Sequence, residues 1–201
     1  MTRDLATGMI TLVNTPKANL AQSKTRGFDV IADTIVPTTN LGTFGLNIMG
    51  TLIKSDSRQL AWNGPYAEVA GYYGGTLRVR GNLSFSWDIG NWLLNWNARY
   101  YHSYGIGYAE SSPYAYLNPP RVLAQGANRV ASQTYHDLVA HYYFPQRDGM
   151  LQGLTIQFGI KNLFDKLPPM DVMAANNSSA WLSPYGDMRL RSYFVNLTKR
   201  F

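Results

Sequence analysis

The sequence predicts an all-β protein, an antiparallel transmembrane β-barrel segment of about eight strands with short turns at one end and long loops at the other. Three observations carry this. Apolar and polar residues alternate with period two over stretches of about 10–13 residues, which places the two sets on opposite faces of a strand. The connections between those stretches are alternately short and long. Composition combines 45% apolar with only 15% charged residues at a mean hydropathy of −0.22, where a soluble domain carries roughly 25% charged residues. A barrel wall has this composition because one face meets lipid while every second residue faces a polar interior.

The strands follow in order. A weak first one covers residues 5–13. Residues 26–36 put Phe28, Val30 and Ala32 on one face and Asp29 and Asp33 on the other. Residues 42–54 alternate Phe44, Leu46, Ile48, Gly50 and Leu52 against Thr43, Gly45, Asn47, Met49 and Thr51. The clearest stretch, 78–88, sets Val79, Gly81, Leu83, Phe85 and Trp87 against Arg80, Asn82, Ser84, Ser86 and Asp88. A short turn at 89–91 joins it to residues 92–104, where Trp92, Leu94, Trp96, Ala98 and Tyr100 oppose Leu93, Asn95, Asn97, Arg99 and Tyr101. Alternating strands joined by a Gly-Asn turn are a hairpin signature. Residues 132–144 alternate less regularly, Leu154–Lys161 clearly, and 189–201 form the last strand.

Connections at 37–41, 89–91 and 145–152 are short, whereas 55–77, 105–131 and 163–188 are long and rich in Gly, Pro, Ser, Asn and Tyr. Loops above about 15 residues are unusual in compact soluble domains, but barrels pair short periplasmic turns with long extracellular loops. Trp87 and Trp92 flank one short turn, and Tyr142, Tyr143 and Phe144 precede another. Such clustering at a rim fits an interfacial girdle, though aromatics also favour strands generally.

No catalytic constellation stands out. His102, His136 and His141 lack a metal-ligand spacing, and G-x-S-x-G, P-loop and dinucleotide motifs are missing from the sequence. We therefore expect neither an enzyme nor a cofactor. Cysteine is absent, so there is no disulfide frame. The net charge of +6 is spread over 18 scattered Lys and Arg residues, which argues against a nucleic-acid partner. Residues 1–10 contain Arg3 and Asp4 and no apolar signal-peptide core, so an exported chain of this kind is expected to be a fragment. Binding is the more natural activity. Trp62, Tyr66, Tyr72, Tyr108, Tyr114 and Trp181 lie in the long loops, where amphipathic rings can stack on a ligand or pack loop on loop. Inward-facing Arg80, Arg99, Lys161 and Asp88 would line a polar lumen.

Two segments near the end resemble a known family. Gly159-Ile160-Lys161-Asn162-Leu163-Phe164-Asp165-Lys166, followed by Pro168-Pro169, is similar to the "NLFDK-x-P" segment of TonB-dependent outer-membrane receptors. Tyr185-Gly186-Asp187 with Arg191-Ser192-Tyr193-Phe194 resembles the final motif of that family, with Leu190 where Gly is common. Thr25-Arg26-Gly27-Phe28-Asp29-Val30 resembles its "GvEl" strand start, Asp29 replacing Glu. The closing alternation Tyr193, Val195, Leu197, Phe201 resembles the terminal signal read by the barrel-assembly machinery, although Lys199 departs from it.

The resemblance covers about residues 25–201 and implies the C-terminal part of a receptor barrel of about 22 strands, without its plug domain or TonB box. It implies a Gram-negative outer-membrane location, lipid as a partner and TonB coupling through a missing N-terminal part. It also implies active transport of a scarce substrate: a siderophore, cobalamin or an oligosaccharide. Asn162, Asp165 and the two prolines are expected to end a strand and shape a loop, not to touch ligand. Two alternatives stay open: a complete eight-stranded barrel with a structural or adhesive role, and a soluble β-sandwich binding module.

Overall fold

The computed structural model describes residues 2–3, 7–12, 22–59, 64–145, 149–174 and 181–200, with the backbone alone for 2, 3, 11 and 12. In chain order the elements are β1 (Thr2–Arg3), β2 (Ile10–Leu12), β3 (Ser23–Pro37), β4 (Thr43–Gln59), β5 (Tyr66–Glu68), β6 (Val79–Ile89), β7 (Trp92–Tyr101) and β8 (Tyr104–Gly105). They continue with α1 (Asn118–Gln125), β9 (Arg129–Val130), β10 (Gln133–Tyr143), β11 (Leu154–Lys161) and β12 (Ser192–Lys199).

Seven long strands form one antiparallel sheet in the order β3-β4-β6-β7-β10-β11-β12, and β5 folds back onto the end of β4. The protein is therefore all-β, but the sheet is open: among the described residues no ladder joins β3 to β12. The first strand expected over residues 5–13 does not form as one element. Thr7 begins a turn in which Gly8 has φ 69°, and among the described residues β2 pairs with β1 and not with the main sheet.

Register converts the alternation into two continuous surfaces. Val36, Phe44, Trp87, Leu94, Ala140, Phe158 and Val195 are successive partners across all seven strands. The next row of the same face runs Leu46, Phe85, Trp96, Leu138, Ile160 and Tyr193. No second layer covers this face among the described residues, and Val195 and Leu197 remain 61% and 68% exposed. On the opposite face Asp33, Asn47, Ser84, Asn97 and Asp137 are successive partners. Their side chains bond across strands: Asn47 donates to Asp33, and Asn97 Nδ2 to Ser84 Oγ at 2.8 Å. A one-residue slip anywhere would mix the two surfaces.

The turns show why register holds. Gly90-Asn91 is a two-residue hairpin turn with Gly90 at φ 60° and no positive φ at Asn91, the II′ pattern that matches strand twist. Gly42, at φ 78°, lies where an added Cβ would stand 2.0 Å from the Asp88 carbonyl oxygen.

The long connections are not open coil. β4 runs five residues past the end expected for it at Lys54, as far as Gln59. Within 105–131 sits α1, opened by Pro119-Pro120, where a missing N–H costs nothing. It closes on Gly126 at φ 73°, whose N–H bonds the Val122 carbonyl at 2.9 Å. Within 163–188, Met170 and Leu182 form a bridge, flanked by Asp171 N to Trp181 O at 2.8 Å. The hydrophobic core lies here, outside the sheet: buried Leu77, Tyr104, Ile106 and Val130 pack with Val122, Val172, Met173 and Tyr185. The three loops thus make a folded cap on one end of a single-layer sheet.

Candidate functional site

A polar network fastens the cap. The Tyr104 hydroxyl donates to Asp171 Oδ2 at 2.6 Å and approaches Ser183 Oγ at 3.2 Å. Gln133 Nε2 donates to Ser183 Oγ at 2.7 Å, and the Tyr135 hydroxyl to Gln133 Oε1 at 2.7 Å. Asp171, Ser183 and Gln133 are buried, and buried polar groups are retained where their bonds are made. One loop is thereby tied to another and to the end of β10. Gln125 of α1 adds a second tie, its Nε2 donating to Met170 O at 2.7 Å and its Oε1 accepting from Val172 N at 3.0 Å.

Burial, and after it Asp171, pushes the Tyr104 hydroxyl far above the ordinary tyrosine range; burial raises Tyr185 as well. A folded-state pKa above the unfolded one means that the contribution is fully present below about pH 10 and is lost as pH rises beyond it. We expect amide-exchange protection in residues 102–131 and 163–190 to weaken above pH 10 in the native protein and much less in Tyr104→Phe, whose ring cannot ionise. Equal alkaline loosening in both would assign it to other groups.

The strand-ending motif is built as its residues suggest. Asn162 and Asp165 both have positive φ, 52° and 55°, which short polar side chains tolerate by bonding locally. Asn162 brackets Lys166, donating to its carbonyl and accepting from its N–H, both at 2.9 Å. Asp165 Oδ1 accepts from Arg191 N at 2.8 Å, so the segment after β11 clamps the start of β12. The two family-like motifs meet in space.

Beneath the loop 182–190, on the polar face of the sheet, lies a cavity of about 560 Å³. Arg99 of β7, Tyr135 and Asp137 of β10 and Lys161 of β11 form its floor. Arg99 Nη2 lies 2.9 Å from Asp137 Oδ2, and Asp137 Oδ1 also accepts from Asn162 N at 2.8 Å. At its rim Asp187 pairs with Arg189 at 2.7 Å; the bonds from Arg189 hold that exposed carboxyl down to about 2. A second cavity of about 350 Å³ shares Arg99 and is lined by Thr51, Arg80, Asn82 and Tyr101.

The loop aromatics are placed as follows. Tyr108 and Tyr114 come together, ring centroids 5.5 Å apart, and Tyr73 meets Tyr108 edge-on at 5.5 Å. The Arg121 guanidinium already sits 4.5 Å over both Tyr73 and Tyr108, so that cluster serves to hold α1. Tyr72 packs near Gly105 within the cap. Tyr66 lies apart, its hydroxyl on Gln22 at 2.6 Å and Lys24 over its ring at 4.2 Å. Trp181 is exposed at the cap surface. Trp62 lies outside the described residues. Tyr193, Val195 and Leu197 share the apolar face, while Phe201 lies outside the described residues.

Alternation marked Arg80, Arg99 and Lys161 as inward-facing but gave no sign of the loop that roofs Arg99 and Lys161. Asp137, also on that face, is the partner that sequence reasoning passed over; its signal was its place among the polar positions of β10. Compared with protein-family patterns, with curated proteins and with solved structures, the chain matches none.

Proposed function

We propose that this sheet is part of the wall of a transmembrane β-barrel in a bacterial outer membrane. The observation that carries this is the apolar face: seven strands wide, unbroken in register and uncovered among the described residues. A soluble protein rarely leaves so large an apolar patch to water, and lipid accounts for it without another layer. Rims support the same reading. At the short-turn end Phe44 stacks with Trp87 at 6.0 Å, and Trp92 packs on Tyr142 at 4.8 Å, while Trp87 Nε1 donates to Leu41 O at 2.6 Å. Toward the loops the face ends in Tyr100 and Tyr193. Trp92 to Tyr100 along β7 is nine residues, within the roughly 9–11 residues with which a strand tilted about 45° crosses a bilayer.

The open edges say what else is needed. Unpaired N–H and C=O groups facing lipid cost several kcal/mol each, so β3 and β12 require neighbours that the described strands do not supply. With the motifs at 159–169 and 185–194, this favours the C-terminal portion of a TonB-dependent receptor, whose whole barrel imports a scarce small molecule or oligosaccharide with TonB-coupled energy. Loops 55–77, 105–131 and 163–188 would then face the outside.

Membrane placement is tested with a Trp62→Phe/Trp181→Phe background, which leaves Trp87, Trp92 and Trp96 as reporters. Refolded into vesicles containing brominated lipid, these are expected to be quenched by the bromines and shielded from aqueous iodide, and the band to be heat-modifiable on a gel. Strong iodide quenching of a protein that stays soluble without detergent would sink the proposal. The receptor assignment is tested on the encoding DNA: an upstream in-frame plug is expected, and a stop codon directly before Met1 would overturn it.

A further inference from the structure

We infer that the cavity on the polar face is a binding site for a small carboxylate- or phosphate-bearing molecule, with Lys161 and Arg99 as its recognising groups. The inference turns on which charges there are already spent. Asp187 and Arg189 neutralise one another at 2.7 Å, and Arg99 and Asp137 do so at 2.9 Å. Lys161, exposed on the floor of the same cavity, makes no close ion pair among the described residues, although its charge helps to hold the rim carboxylate Asp187 ionised; its Nζ lies 5.8 Å over the Phe194 ring. Arg80, in the adjoining cavity, likewise makes no close ion pair among those residues. The site is thus left with uncompensated positive charge beneath the loop 182–190.

Arg99 adds a directional donor. Nη2 is the nitrogen given to Asp137, at 2.9 and 3.3 Å from its two oxygens. Nε is buried without a hydrogen-bond partner among the described residues and is closed to a ligand. The other terminal nitrogen, Nη1, is not given to Asp137 and bonds no other described residue; an anionic oxygen in the cavity would meet it together with Lys161, and charge-assisted bonds of this sort are about twice as strong as neutral ones. Around them stand Tyr135, Tyr185, Leu182 and Met188, which give the ligand an apolar wall. A volume of about 560 Å³ suits a small organic acid or a sugar phosphate.

The site goes beyond the barrel proposal and depends on it only in that the polar face is reached from water. Citrate and inorganic phosphate serve as the two probes, and sucrose as the uncharged comparison, with the full chain in detergent. By calorimetry at low salt we expect citrate, phosphate or both to bind, sucrose not to, and Lys161→Gln to weaken binding at least tenfold. Raising the salt weakens it too. Lys199→Gln, whose amine bonds the Met150 carbonyl elsewhere on the sheet, should change nothing. A measurement needing no variant is acetylation footprinting: the bound anion should protect Lys161 and leave Lys24 and Lys54 reactive. Binding of neither anion, equal losses in Lys161→Gln and Lys199→Gln, or uniform labelling of the lysines would each overturn the site. Heat-modifiable migration and bromine quenching are read separately, so loss of the membrane proposal and loss of the site are distinguishable.

Discussion

Replacing Phe85 by lysine is expected to weaken insertion into lipid vesicles by about 2–4 kcal/mol, the cost of a cation on the lipid face near the bilayer centre. Phe85 pairs with Trp96, halfway from Trp92 to Tyr100 on β7, in the row shared with Leu46, and it also stacks on Phe44 at 6.0 Å. Asn95→Lys is the matched comparison. Asn95 neighbours Trp96 in sequence but points to the polar face, opposite Ser86 and Val139. A lysine there meets water and polar groups, so its effect should stay within about 0.5 kcal/mol. The check is a urea titration of both variants refolded in vesicles. The sign carries the test: were the apolar face in water, Phe85→Lys would improve solubility and leave stability nearly unchanged, and the membrane proposal would fail.

Asp171→Ala should unfasten the loop cap while sparing the sheet. The carboxyl is buried, accepts the Tyr104 hydroxyl at 2.6 Å, and accepts Met173 N at 2.9 Å. Truncation leaves Met173 N unpaired and Tyr104 with only the longer bond to Ser183. Two lost bonds to a carboxyl group amount to about 2–4 kcal/mol of local stability. Hydrogen exchange should accelerate across residues 102–131 and 163–190 by about 30- to 1000-fold at such values, with the β6–β7 ladder unchanged. Asp171→Asn, which keeps an acceptor, should fall between. Unaltered exchange in the loops of Asp171→Ala would mean that apolar packing around Ile106 and Val130 holds the cap by itself. Because the same loop lines the cavity over Lys161, the alanine variant should also loosen the cavity wall and weaken citrate binding.

Several features were legible before any coordinates. Alternation in residues 78–88 and 92–104 placed Phe85 and Trp96 on one face and Asn82 and Arg99 on the other, as observed. It could do so because side-chain direction in a strand is a local property of period two. Gly90-Asn91 announced its turn for an equally local reason, a positive φ that glycine accepts. Asn162 and Asp165 were read as strand-ending residues, and their backbone-directed bonds make them so.

Other features depended on partners far along the chain. The expected strand over 5–13 failed because weak alternation does not decide which neighbour a segment pairs with. The long connections looked like coil by their Gly, Pro, Ser and Tyr content, yet Tyr104, Ile106 and Val130 bury one another from different loops, and no period announces such contacts. The loop aromatics expected to contact ligand are divided: Tyr108 packs against Tyr114 and lies under Arg121, whereas Tyr66 and Trp181 sit elsewhere.

By itself the sequence determined the two-faced strands, their approximate lengths, the short turns and the shared polar face of Arg80, Arg99 and Lys161, all consequences of backbone geometry within a few residues. Only the tertiary structure decided that the apolar rows stay in register across seven strands, that among the described residues no ladder joins β3 to β12, and that Asp137 takes up Arg99 while Lys161 has no ion-pair partner among those residues. Those outcomes rest on hydrogen bonds and charges brought together from distant positions, and alternation along one strand carries no record of what lies on the next.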